Sequence, residues 1–357
     1  MRTRILRLLL IVGAFVLASV AESEAQATCD RTVNAGQDLG VLAANCPAGT
    51  DFVVSGDYHP VSGARNLHGV PVQDGDTFTG RSTASVPRPR VVGTEGVRRI
   101  FNVKGAGNVV FRGLDWTGAK GNDLCEPGCG SGITGAADGP ILIVDSRIHH
   151  NPNAGVSVTN VRVTVKNSEL DSNGSPGFTL VDPCAAGQTN CKNGHGPSSA
   201  AGIKVLGGLS GNGALVLENS RVHHNLWNGI WTDEAAANAT ITGNTVENNG
   251  KTGMLVELTK RGLVAGNVFR ENGYDPLSGT LPRAGLFVSE SQNITVRDNT
   301  ISYNRRVGFI AKEHVRPERL YNVDFFGNRL YSNEPLQEEG CDLPDAIVDC
   351  RDNEMSG

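Results

Sequence analysis

One spacing governs this chain. Seven segments obey a single rule: Ser or Asn, any residue, an apolar residue, two more, then Asn, usually followed by a Gly-apolar pair. They read SRIHHNPNAGV (146–156), SELDSN (168–173), SRVHHNLWNGI (220–230), NTVENNGKTGM (244–254), NVFREN (267–272), NTISYNRRVGF (299–309) and NRLYSN (328–333). Each follows a short alternating stretch such as ILIVD, VTVKN, LVLEN or ITVRD. The copies start at steps of 22, 52, 24, 23, 32 and 29 residues. The long steps come mostly from extra residues in one place, between Asn173 and Gly202 and between Asn272 and Gly285.

A period of 22–24 residues made of short strands, without helical patterning, predicts a solenoid of stacked β-coils. Neighbouring coils would then lie about 4.8 Å apart, the separation of hydrogen-bonded strands. The recurrent asparagine has a physical part in such a stack. A side-chain amide both donates and accepts, so it can bond from coil to coil and satisfy the backbone of a turn. Forty-five glycines and only 5% aromatic residues suit many short strands joined by tight turns.

This Asn-x-Ile-x-x-Asn…Gly-Ile pattern, over about residues 100–333, resembles the right-handed parallel β-helix repeat proteins of the pectate lyase-like superfamily. The resemblance implies an all-β fold: a right-handed parallel β-helix solenoid with an N-terminal cap and a disulfide-closed C-terminal cap. Residues 28–100 would form the N-terminal cap and first coils, 101–333 the β-helix, and 334–357 the C-terminal cap and tail. Open parallel edges invite aggregation, so covered ends are expected.

Residues 1–27 carry three arginines, an apolar run and Ala25-Gln26-Ala27, the anatomy of a secretory signal peptide. Removing them takes out three Arg and two Glu and shifts the net charge from −5 to −6. A secreted chain, extracellular or periplasmic, is expected, with no membrane span after signal removal. The mildly acidic balance without a basic stripe argues against nucleic acid. No sequence feature calls for oligomerisation, and a monomer is the expectation. All eight cysteines lie beyond the signal, an even number in an exported chain. Neighbours in sequence suggest pairs Cys29–Cys46, Cys125–Cys129, Cys184–Cys191 and Cys341–Cys350; a metal site is the alternative, weakened by the scatter of the pairs.

Register separates inside from outside. The first and third residues after each strand's glycine are Val156/Val158, Ile203/Val205, Ile230/Thr232, Met254/Val256, Leu286/Val288 and Phe309/Ala311. Nearly all are apolar, so they should face the core, and alternation sends the second and fourth residues to the solvent face. That face then carries Lys204, Trp231, Asp233, Glu257 and Lys312. Glu234 and Glu290 lie at the strand ends. The insertions 174–200, with His195, and 273–284, with Tyr274 and Arg283, enter beside it. Long loops on a regular scaffold are usually functional walls, so a groove is expected there.

The superfamily resemblance implies a polysaccharide substrate, and three functions fit. A lyase would cleave an acidic, uronate-containing polymer by β-elimination, with Asp233 and Glu257 as candidate calcium ligands and Lys204 or Lys312 as the base. A glycoside hydrolase would use Asp233 and Glu257 as its carboxylate pair. A non-catalytic binding protein would use the face for adhesion. In each, Trp231 is the candidate sugar platform, and His195, Tyr274, Arg283, Glu234 and Glu290 are candidate substrate contacts. The bland reading of the carboxylates is a solvated face balanced by lysines. That of Trp231 is packing against a loop, and that of the His149/His150 and His223/His224 pairs is turn surface.

Overall fold

The computed structural model describes residues 29–356 apart from 63–67, 95, 121–128, 175–199, 208–211, 235, 275–281, 314–319 and 345–346. Three parallel sheets of 12, 11 and 10 strands, here sheets I, II and III, run the length of the molecule. From Asp51 onward the chain visits them in the order I, II, III on each turn. Ala214–Glu218, Arg221–His223 and Asn228–Asp233 make one coil, and Asn238–Thr242, Thr245–Glu247 and Thr252–Glu257 the next. This is a parallel β-helix.

Sequence pattern and structure agree on what fills the core. Ile203, Val205, Ile230, Met254, Val256, Leu286, Val288 and Phe309 join one continuous apolar cluster with the inward residues of the other two sheets. Aromatic rings stack along its axis, as in Phe52 on Phe78 at 4.8 Å and Phe78 on Phe111 at 5.4 Å between centroids.

The corners are held by two side-chain ladders. At the II-to-III corner Asn151, Asn173, Asn225, Asn249, Asn272 and Asn304 each pass an amide hydrogen to the side-chain carbonyl of the next asparagine at 2.9–3.0 Å, and the ladder ends on Asn333. At the I-to-II corner Ser146, Ser168 and Ser220 give way to Asn244, Asn267, Asn299 and Asn328, which bond in the same direction. The residue before each II-to-III asparagine takes a left-handed conformation, as at His150, His224, Asn248 and Tyr303. That places His150 and His224 at tight corners, the bland reading of the HHN motif.

The strand glycine is needed for a close approach. A Cβ on Gly229 would sit 2.6 Å from Gly253 O and 2.8 Å from the Asn249 amide nitrogen. Across sheet III the ladder pairs Ala201 with Asn228 and Ile203 with Ile230 but skips the glycines between them. Ala201, Ala284 and Val307, the residues before Gly202, Gly285 and Gly308, join an apolar cluster with the outward side chains, and Asn228 is opposite Ala201.

The ends differ from each other. At the N-terminal end a six-residue helix, Leu39–Ala44, capped by Asp38, buries Leu39 and Ala43 over the first strands of sheets II and III. No sequence pattern announced it. At the other end Leu336–Glu339, Val348–Arg351 and Glu354–Ser356 add one more strand to each sheet. The disulfides Cys29–Cys46 and Cys341–Cys350 sit at these two ends, as expected. Cys129 is disulfide-bonded; Cys125, Cys184 and Cys191 lie outside the described residues, as does the expected signal segment. No helix among the described residues is long and apolar enough to cross a membrane.

Candidate functional site

The outer face of sheet III has the register the sequence implied. Ser157, Lys204, Trp231, Leu255, Phe287 and Ile310 form one column, and Ser289 links Glu257 to Lys312 in the next. The expected solvent exposure is corrected. Lys204, Trp231, Asp233 and Glu257 are each 5–7% exposed, and Leu255 and Phe287 are fully buried. The reason is packing: Trp231, Leu255, Phe287 and Ile310 join Ala201, Ala284 and Val307 in a second apolar cluster outside the helix. Alternation shows which side a residue takes but not what lies over it.

Within this face four side chains form a chain of contacts. Lys204 Nζ lies 3.1 Å from Asp233 Oδ2 and 3.3 Å from the centroid of the Trp231 ring. Trp231 Nε1 donates to Glu257 Oε2 at 3.0 Å. Both polar links are diagonal. Lys204 is opposite Trp231, and Asp233 is two residues further on; Trp231 is opposite Leu255, and Glu257 is two further on. Diagonal neighbours on a sheet are about 7–8 Å apart, within reach of long or aromatic side chains. Asp233 also accepts from the Glu234 backbone N–H at 2.7 Å.

The other sequence candidates are distributed differently. Lys312 lies further along the column and pairs with Glu339 at 3.2 Å, away from the Lys204 cluster. Glu234 is exposed at a left-handed turn, whereas Glu290 is buried with Ser289 Oγ 3.4 Å away. Arg283 donates to Gly273 O, which places it, with Tyr274, at the root of the second insertion. His195 lies outside the described residues.

The two carboxylates proposed as calcium ligands each face a hydrogen-bond donor. Calcium takes six to eight oxygen ligands, but Asp233 is turned to an ammonium and Glu257 to an indole N–H. Among the described residues the one group with metal-capable donors together is Glu169, Asp171 and His223, on sheet II. There the Arg147 guanidinium donates to both Asp171 oxygens at 2.8 and 2.9 Å and lies 3.5 Å from Glu169.

That sheet II face is a polar network the sequence reading missed. His149 contacts Asp115, His223 contacts Glu169, and Arg221 and Arg270 converge on Glu247. Burial alone would raise the Asp171 pKa, but hydrogen bonds and charge from Arg147 outweigh it and hold it below the ordinary value. Burial lowers that of His150. A second lysine–tryptophan pair lies just before two adjacent sheet III strands: Lys251 Nζ is 4.0 Å from the Trp227 ring centroid. The signal for it was present, a Trp and a Lys flanking the repeat asparagines of adjacent coils.

Residues 198–342 match the family model described as a right handed beta helix region. The chain has the right-handed parallel β-helix fold. Among solved right-handed β-helices, a point variant of the periplasmic alginate epimerase AlgG shares 14% identity, with 92% of this chain and 84% of that one aligned at a TM-score of 0.53. XylC in complex with xylose shares 11%, covering 84% of this chain and 53% of that one at 0.50. The A-module of the mannuronan C-5 epimerase AlgE6 from Azotobacter vinelandii shares 14%, covering 86% and 90% at 0.48. No curated protein matches in sequence. At such identities the likeness is one of fold, and the β-helix alone does not assign an activity.

Proposed function

We infer that this β-helix protein is carbohydrate-active and secreted, binds an acidic, uronate-containing polysaccharide over the outer face of sheet III, and cleaves it by β-elimination. The observation that carries this reading is the buried Lys204 ammonium, held between the Trp231 ring and the Asp233 carboxylate. A flat indole suits a sugar ring, and a desolvated cation suits the carboxylate that makes the C5 proton removable. The similar folds of AlgG, an alginate epimerase, and of XylC, seen in complex with xylose, are in keeping with a saccharide ligand. The disulfides Cys29–Cys46 and Cys341–Cys350 are compatible with an oxidising, extracellular or periplasmic compartment.

Chemistry follows from how the lysine is held. As one half of an ion pair, Lys204 serves as the charge that receives the uronate carboxylate rather than as the base. Asp233, displaced from that ammonium by the substrate, takes the C5 proton. The C5–H electron pair forms the C4–C5 double bond, the C4–O bond breaks, and the leaving oxygen recovers the proton from Asp233. Glu257 fixes the indole plane through Nε1.

A glycoside hydrolase using Asp233 and Glu257 is the second reading, favoured by their places on adjacent strands of the sheet. One assay separates the readings. The full chain is incubated with pectic, alginate and glycosaminoglycan polymers and with neutral glycans, following unsaturated-uronate absorbance and new reducing ends together. Both should rise on an acidic polymer and both should vanish in Asp233→Asn. Reducing ends without absorbance would assign hydrolysis; silence in both would leave a binding protein.

A further inference from the structure

The strand Asn228–Asp233 carries more than the Lys204 cluster. Trp227, just before it, and Trp231, within it, are four residues apart, about 13 Å along an extended strand. Each faces a lysine from a different neighbouring coil: Lys204 from the coil before lies over Trp231, and Lys251 from the coil after lies over Trp227. Both lysines are 5% exposed. Between the two tryptophans stands Asn228, on the outward column created by the glycine skip. It is 2% exposed, and its Oδ1 is a buried acceptor that takes no hydrogen bond among the described residues. A buried acceptor without a donor is destabilising, so its persistence in a well-packed strand needs a reason.

We propose that Trp227, Asn228 and Lys251 form a second saccharide subsite, so that one oligouronate is held at two carboxylates, by Lys204 and by Lys251, with a sugar hydroxyl donating to Asn228 Oδ1. The proposal rests on the reading of this face as a uronate groove and adds its substrate requirement: a chain of acidic sugars long enough to span both tryptophans, lying along the strand. Two aromatic planes, two cations and one acceptor in need of a donor match a ligand that carries ring faces, carboxylates and hydroxyls together. A neutral glycan would leave both ammonium groups without an added partner. A monosaccharide would reach only one pair.

The test is calorimetric binding of a size series of oligogalacturonates and oligomannuronates, and of their carboxyl-reduced counterparts, to the full chain. Lys251→Met, which keeps an apolar stem over Trp227, should weaken the acidic oligomers about tenfold and reduce the salt dependence of binding. The same substitution should leave the neutral counterparts unchanged, and Lys251→Arg should restore the affinity. Asn228→Ala should weaken both series, with its melting temperature read alongside. Wild-type affinity of Lys251→Met and Asn228→Ala for the acidic oligomers would overturn the second subsite while leaving the proposed function standing. Failure of the wild-type protein to bind any member of either series would overturn both.

Discussion

Glu247 shows how a narrow strand can carry a buried charge. Its carboxylate is almost fully buried, yet Arg221 and Arg270, from the coils on either side, both donate to it. Burial alone would raise its pKa; the two guanidinium groups outweigh that and hold it below the ordinary value of 4.5. The folded form therefore binds this proton less readily than the unfolded chain. The stabilisation is complete above about pH 4.5 and is lost as the pH falls through and below that value. Removing one partner of a buried pair costs about 3–5 kcal/mol, but both arginines are half exposed, so about 1–2 kcal/mol is expected here. Glu247→Gln should lower the melting temperature at neutral pH and flatten its decline on acidification, read by calorimetry from pH 7 downward. An acid decline as steep as in the wild type would show that Glu247 contributes none of it.

At the scale of the element, the corner asparagine matters more than the strand it joins. Asn249 accepts from the Asn225 backbone and side chain, and it donates to Asn272 Oδ1 and Val222 O. Asn249→Ala would leave at least two of these buried groups unpaired, at about 1–3 kcal/mol each. Thermal unfolding should therefore show a drop of several degrees, against almost none for Asn238→Ala at the exposed start of a sheet I strand. Equal effects would reduce the ladder to ordinary turn chemistry. This element was legible because Asn and Gly recur at fixed places in every copy, and they fixed the sheet III register as well. The sequence could not show that Asn228 faces outward, because alternation fails at the glycine: Ala201, opposite Asn228, joins the outer cluster although Ile203, two residues on, faces the core. Nor could it show that Asp115 meets His149, 34 residues away, since variable coil lengths hide which sheet II residues become neighbours.

Over the whole molecule, each coil touches only its neighbours, so stability is close to a sum of coil and interface contributions and the ends are the weak points. The resemblance led to covered ends, and two of the cysteine pairs were legible from proximity. The helix over the first coil was not, since six residues are too few to show a period. That helix makes the ends unequal. The N-terminal end has both Leu39–Ala44 and Cys29–Cys46. At the other end the Cys341–Cys350 loop lays Leu343 and Ile347 on the core. Closing loops of 17 and 9 residues stabilises by about 3 kcal/mol each in the chain-entropy account. The consequence should nevertheless differ. Replacing Cys341 and Cys350 by serine should speed amide hydrogen exchange over the last coils, from about residue 320 onward, and leave the coils around Asn249 protected. The matching change at Cys29 and Cys46 should loosen its end less, because the helix still covers the first strands of sheets II and III. Exchange that rose evenly through the molecule in either variant would mean that the stacked coils open together as one cooperative body, against the additive account of the solenoid.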